Sequence, residues 1–281
     1  MSADANQAES NEPGLSEELP TAAGMYDYYL GGSNNTAADR AAAAQIIEKA
    51  PEIRDTAWAN RGFLGRAVRW MAAERGIRQF IDVGAGFPTQ RCTHDVAHAV
   101  DPGIKVVYSD VDPRVVSHGL RLLADVPGTA AVQADFRDPE SLMGNPRIRE
   151  LIDFSEPVGM LMLAVTHFIP DADDPWELVR RHVEPLPPGS FLALSAGTSD
   201  RQDERKAERG SQVYAGSANP WTWRTAAEIK RFFDGLELMP PYEGAAPGLT
   251  YLGLWGCEDP NAADTDGSRW GYAAVARKNG Q

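Results

Sequence analysis

Five short apolar segments, RQFIDVG, KVVYSD, TAAVQAD, PVGMLMLAV and SFLALSAG, recur between residues 78 and 197. Each is short and apolar enough to be buried on both faces, as strands are in a parallel sheet covered by helices. Between them lie helix starts with good local chemistry. Asp112-Pro113, Asp138-Pro139 and Asp174-Pro175 each place a capping carboxylate before a proline suited to the first helical position. Glu177 stands where it completes a capping box with Asp174, and Glu228 does the same for Thr225. Further on, YLGLW and GYAAVARK suit a final hairpin at one sheet edge. An alternation of this length predicts an open three-layer α/β fold with a mostly parallel sheet and right-handed crossovers.

Two helices are expected before the first strand. TAADRAAAAQIIEKA is alanine-rich and stopped by Pro51. RDTAWANRGFLGRAVRWMAAERG sets Trp58, Phe63, Leu64, Ala67, Val68 and Met71 on roughly one stripe and ends at Gly76. Ahead of both comes MYDYYLGGSNN, and residues 1–20 are acidic and polar, with too little apolar material to offset the entropy of ordering. The chain of 281 residues, 43% hydrophobic, thus divides into a disordered tail (1–20), an arm with two helices that forms a lid or cap (21–76), and one α/β domain (77–281).

Composition excludes several function classes. A net charge of -13 repels a phosphate backbone, and no dense Lys/Arg stripe offsets it, so nucleic acid is not the expected partner. No apolar run reaches the ~20 residues of a membrane span. The N-terminus lacks the basic start and apolar segment of a secretory signal, so a cytoplasmic protein is expected. Cys92 and Cys257 are far apart without C-x-x-C spacing and read as free thiols. His94 and His98 sit one helical turn apart, but without a third ligand they read as exposed helix residues, and no metal is expected.

In such sheets the ligand lies beyond the carboxyl ends of the strands, where strand order reverses. Asp82 ends the first strand, and Gly84 and Gly86 let backbone approach a ligand closely. Asp110 ends the second strand, where a carboxylate can accept both hydroxyls of a ribose. After the third strand, Asp135 can accept from an adenine amino group, or simply terminate the strand, and Phe136 offers a ring face. A pyrophosphate needs a close helix N-terminus with free amides, whereas here Phe87-Pro88 removes a donor and adds bulk, and Thr89 replaces the last glycine of a dinucleotide loop. The set suits an adenosine carrying no phosphate. Asp112 reads as a helix cap and Ser195 as core strand.

The series DVGAGFPT, VVYSDVDP, VQADFRDP and LAVTHFIPD resembles the motifs of class I methyltransferases over about residues 77–200. More narrowly, MYDYYLGGSNNTAADR, NRGFLGRAVRWM and GIRQFIDVGAGFPT are similar to an actinobacterial group of S-adenosylmethionine-dependent methyltransferase-like proteins, long known as a domain of unknown function, from Tyr26 to Lys278. This chain has LGGSNN where that group commonly has LGGKDN. The resemblance implies a Rossmann-like class I methyltransferase fold, with a seven-stranded, mostly parallel sheet, a final antiparallel hairpin and an N-terminal helical extension. It implies S-adenosyl-L-methionine as cofactor and methyl transfer to a small molecule, in secondary metabolism, with a homodimer as one option.

Three side chains are candidates for catalysis. Tyr26 and Tyr29, followed by a flexible neck at Gly31-Gly32, suit a lid whose ring faces attract a sulfonium and whose hydroxyls orient a nucleophile; packing aromatics are the other reading. His167 is a general base or an imidazole bonded to backbone in a loop. Arg61 binds the cofactor's carboxylate or pairs on the surface. Two other activities share the same site: closure of the aminobutyrate chain on itself with release of methylthioadenosine, and binding without turnover.

Overall fold

The computed structural model describes residues 19–88, 91–200 and 214–280. Thr89 and residues 1–18 of the expected tail therefore lie outside the described residues. All five predicted strands form: β1 (Gln79–Val83), β2 (Lys105–Asp110), β3 (Thr129–Gln133), β4 (Gly159–Leu163) and β5 (Phe191–Gly197). They pair in parallel, and β8 (Gly271–Arg277) runs antiparallel to β5. The sheet path is β3-β2-β1-β4-β5-β8-β6, with β6 at Glu237–Leu238, and β7 (Thr250–Tyr251) pairs β8 off this path. Among the described residues the sheet has eight strands, against the expected seven. YLGLW supplies only Tyr251 to a strand, and the two-residue β6 is too short to leave an alternating pattern in the sequence.

Successive strand residues face opposite layers. Phe80 joins a core with Phe63, Met71 and Val106, while its neighbour Ile81 joins one with Leu142, Ile148 and Val179. The first layer is built by α3 (Ile53–Glu74), α4 (Thr93–Val100) and α5 (Pro113–Leu122), and the second by α6 (Pro139–Gly144), α7 (Pro146–Leu151) and α8 (Pro175–Val183). The connections around β1 run to β2 on one side and β4 on the other, so the order reverses between β1 and β4. That reversal opens a crevice at the strands' carboxyl ends. None of the described helices is long and apolar enough to cross a membrane.

Local differences from the sequence reading have identifiable causes. The buried seam of α3 runs through Ala57, Asn60, Arg61, Leu64, Ala67, Val68 and Met71. Trp58 lies off that seam and is 40% exposed. Asp174 caps α8 by accepting from the Glu177 amide, but the Glu177 carboxylate turns to Arg180, which offers it two bonds of 2.6 Å, so no box closes. The Thr225–Glu228 box does close. His94 is buried rather than exposed, with Nδ1 2.7 Å from the Tyr108 hydroxyl, and His98 is half-buried with Nε2 2.8 Å from the Ile104 carbonyl. Cys92 and Cys257 are not joined in a disulfide.

The YDYYLGG segment is helical: α1 spans Ala22–Tyr29 and packs against α2 (Ala37–Lys49) in a small core of its own around Met25, Tyr29, Ala43 and Ile46. Its end turns at Gly31, with φ +78°, and Gly32. A Cβ on Gly32 would stand 2.1 Å from Asp27 Oδ1, and the Gly32 amide donates to the Asp27 carbonyl at 2.8 Å. The Asp27 carboxylate is buried and accepts from the Asn34 amide at 2.8 Å and from Asn35 Nδ2 at 2.7 Å. The two asparagines of LGGSNN therefore hold α1 to the chain that follows it.

Candidate active site

At the end of β1, Asp82 is buried and accepts from Thr93 Oγ1 at 2.6 Å. Burial pushes its carboxyl up to about 6, against the opposing pull of that hydrogen bond and of Arg61. Gly84 follows with φ +67°, and a Cβ there would stand 2.4 Å from Val165 Cγ2. Gly86 has φ +64° and open space where its Cβ would be, so the loop presents bare backbone to the crevice. Phe87 turns away and packs edge-on against His118.

Asp110 receives the loop. Its Oδ2 accepts from the Gly86 amide at 2.8 Å and its Oδ1 from the Asp112 amide at 2.9 Å. Burial raises this carboxyl also to about 6. Each oxygen keeps a lone pair for a ligand. Asp112 caps α5, accepting from the Arg114 amide at 2.8 Å. Past β3, Asp135 is half-exposed and accepts from the Arg137 amide, while Phe136 is buried against the His182 ring.

The other end of the crevice is aromatic. His167 sits in a short turn after β4, 3% exposed, with Nδ1 accepting from the Gly197 amide at 3.2 Å and its ring stacked on Trp221 at 3.7 Å between centroids. Burial, and secondarily Arg224, hold its pKa well below 6.5. The neutral ring therefore carries its hydrogen on Nε2, which makes it a donor. This arrangement favours the backbone-bonded imidazole over the general base. Arg224 is itself buried and donates to the Thr166 and Ile169 carbonyls at 2.9 and 2.7 Å, pinning the turn.

Both candidate tyrosines line the same cavity as His167, but their hydroxyls are engaged. Tyr26 Oη donates to the Ala57 carbonyl at 3.1 Å and accepts from Asn60 Nδ2 at 2.9 Å. Asn60 Oδ1 in turn accepts from Ser195 Oγ at 2.6 Å, which joins α1, α3 and β5 in one polar chain. Tyr29 Oη lies 3.5 Å from Tyr214 Oη. Arg61, which the sequence left between cofactor and surface, is 6% exposed. Its guanidinium stands over the Tyr26 ring, and its Nε has no hydrogen-bond partner among the described residues.

Every candidate residue named from the sequence, Asp82, Gly84, Gly86, Asp110, Asp135, Phe136, Arg61, Tyr26, Tyr29 and His167, borders one cavity of about 310 Å³. Sequence reasoning missed Asn60, Tyr214, Trp221 and Arg224. Asn60 could have been found beside Arg61 on the α3 seam, and the aromatic density of PWTWR marked Trp221; nothing local marked Tyr214 or the strut made by Arg224.

A buried guanidinium whose Nε has no hydrogen-bond partner among the described residues, two buried carboxylates and bare glycine backbone fit a ligand with a carboxylate tail, a cationic centre and a ribose. The fold and this site define a Rossmann-like class I methyltransferase. The chain belongs to the S-adenosyl methyltransferase family, whose family model matches residues 8–279. It is a methyltransferase that uses S-adenosylmethionine. It is similar to a DUF574 family protein from Streptomyces avermitilis, with 39% identity, TM-score 0.86, and coverage of 93% of this chain and 98% of that one. It is also similar to a Thermobifida fusca protein crystallised as a candidate methyltransferase, with 36% identity, TM-score 0.86, and coverage of 95% and 98%. A comparison with curated proteins gives no match.

Proposed function

We propose that the chain methylates a small organic acceptor held at the aromatic end of the cavity. The observation that carries this is the joining of two chemically different ends in one cavity. Strand-end carboxylates and a glycine loop lie at one side, and a cluster of rings around His167 and Trp221 lies at the other. In this reading Asp110 accepts the ribose hydroxyls, Asp135 and Phe136 border the adenine, Arg61 pairs with the methionyl carboxylate, and Asp82 supplies negative charge beside the cationic end.

The cofactor supplies a methyl group already activated by its sulfonium, so alignment rather than bond activation is what the protein must add. The chain's own groups serve that end. The Tyr26–Asn60–Ser195 chain ties α1 to α3 and β5 along the cavity wall. Arg224 fixes the turn that carries His167, so the imidazole keeps one orientation toward the acceptor.

The test is incubation with S-adenosylmethionine, alone and with panels of small acceptors, followed by chromatography of the nucleoside products. S-adenosylhomocysteine formed only with an acceptor present supports methyl transfer. Methylthioadenosine formed from the cofactor alone would indicate cyclisation instead. Binding with neither product across the panels would indicate a protein that binds without turnover.

A further inference from the structure

The aromatic end of the cavity has a hydrogen-bonding character that selects the acceptor. His167 is buried, its Nδ1 is occupied by the Gly197 amide, and its Nε2–H has no partner among the described residues. Tyr29 and Tyr214 face each other through their hydroxyls, so one O–H is spent on the other and the second O–H has no acceptor among the described residues. Burial raises the Tyr29 pKa well above 10 and pushes Tyr214 up to about 12, so both hydroxyls keep their protons near neutrality. The two donor sites are bridged by Trp221, whose ring lies 3.7 Å from His167 and 5.1 Å from Tyr214 between centroids. His167 stacks on Trp221, and Phe168, Tyr214 and Trp223 pack around it, so this part of the cavity wall is aromatic with N–H and O–H donors among its rings, a lining complementary to a flat ligand bearing an oxygen acceptor. A protonated amine, which has only N–H groups to offer, would set donors against these donors.

We infer that the acceptor is a planar molecule whose nucleophile is an anionic oxygen, a carboxylate or an acidic enol or phenol, seated against Trp221 and addressed by His167 Nε2 and the Tyr29–Tyr214 pair. This rests on the methyl-transfer reading. In the reaction an oxygen lone pair forms the new O–C bond while the methyl's C–S bond breaks and its electron pair stays on sulfur. The oxygen arrives without a proton, so none has to be removed. An anion and a sulfonium become two neutral products, a change that a water-poor chamber favours. His167 is here a positioning residue that orients the oxygen.

Calorimetry on the full chain saturated with S-adenosylhomocysteine, using benzoate, benzyl alcohol and benzylamine as size-matched probes, tests this without turnover. Benzoate should bind at least about tenfold more tightly than either of the others, the scale of a hydrogen bond to a charged group. His167→Phe keeps a ring on Trp221 but removes Nε2–H together with the Nδ1 acceptor of the Gly197 amide, and should reduce that preference below about threefold while S-adenosylhomocysteine binds as before. Tyr214→Phe gives an independent reading should His167→Phe not fold, and should weaken benzoate selectively. Three outcomes would overturn the inference while leaving methyl transfer standing: benzylamine or benzyl alcohol binding as tightly as benzoate, none of the probes binding to a protein that holds S-adenosylhomocysteine, or an unchanged preference in the folded variants. Failure of S-adenosylhomocysteine itself to bind would remove both readings together.

Discussion

Replacing Asp110 by asparagine separates what this carboxylate does for folding from what it does for the cofactor. Burial holds the carboxyl up at about 6 against an ordinary 3.8. At about 1.4 kcal/mol per pH unit, the ionised form at pH 7 therefore costs the folded chain about 3 kcal/mol. Asparagine keeps the shape and removes that cost. Its NH2, however, must face either the Gly86 or the Asp112 amide, each of which now donates to a carboxylate oxygen. One backbone donor is then left unpaired, at about 1–3 kcal/mol. The two terms nearly cancel, so chemical denaturation should find stability unchanged to within about 2 kcal/mol. Cofactor binding has no such compensation. Losing charge-assisted bonds to the ribose hydroxyls should weaken S-adenosylhomocysteine by about 1.5–3 kcal/mol, or roughly 10- to 150-fold by calorimetry. Unchanged affinity would remove Asp110 from the site, and a stability loss above about 4 kcal/mol would show that the carboxylate's main task is to hold the glycine loop.

Three further outcomes follow from the same geometry. Arg61→Met should weaken S-adenosylhomocysteine at least about tenfold but leave methylthioadenosine, which has no carboxylate, within about twofold; equal losses for both would mean that Arg61 only shapes the cavity. Asp82 and Asp110 both have carboxyls raised to about 6. Because those folded values lie above the unfolded ones, the two groups stabilise the ligand-free chain as pH falls from 7 toward 4, yet protonation takes away the charges that attract the cofactor. S-adenosylhomocysteine affinity should therefore fall between pH 7.5 and 5.5 while these two groups push stability the other way, and an affinity flat across that window would count against both carboxylates. Gly84→Ala forces a side chain into φ +67° with its Cβ 2.4 Å from Val165 Cγ2. It should cost about 1–2 kcal/mol for conformation and about 1–3 kcal/mol for the clash, and adding Val165→Ala should restore part of the second term and none of the first, because the Val165 Cβ, 3.0 Å away, remains.

Much of this protein is written locally in its sequence. The short apolar strands, the Asp-Pro helix starts and the glycine loop each depend on neighbours a few residues away, and all formed as read. Asp82 and Asp110 were legible for the same reason, since a strand end fixes where its last side chain must go. Other features depended on contacts between distant parts of the chain. Trp58 was placed on the α3 stripe because periodicity alone cannot tell which edge of a stripe faces the core. Glu177 had two suitable partners nearby, and only the placed Arg180 side chain decided between them. The aromatic end was the least legible region, because it unites Tyr29 with Tyr214, Asn60 with Ser195, and His167 with Gly197 and Trp221. Contacts over such separations leave no period or cap in the chain. Which ring nitrogen of His167 faces backbone was open in the sequence, and it is the Gly197 amide, brought to Nδ1 beside the pairing of β4 with β5, that occupies one of the two.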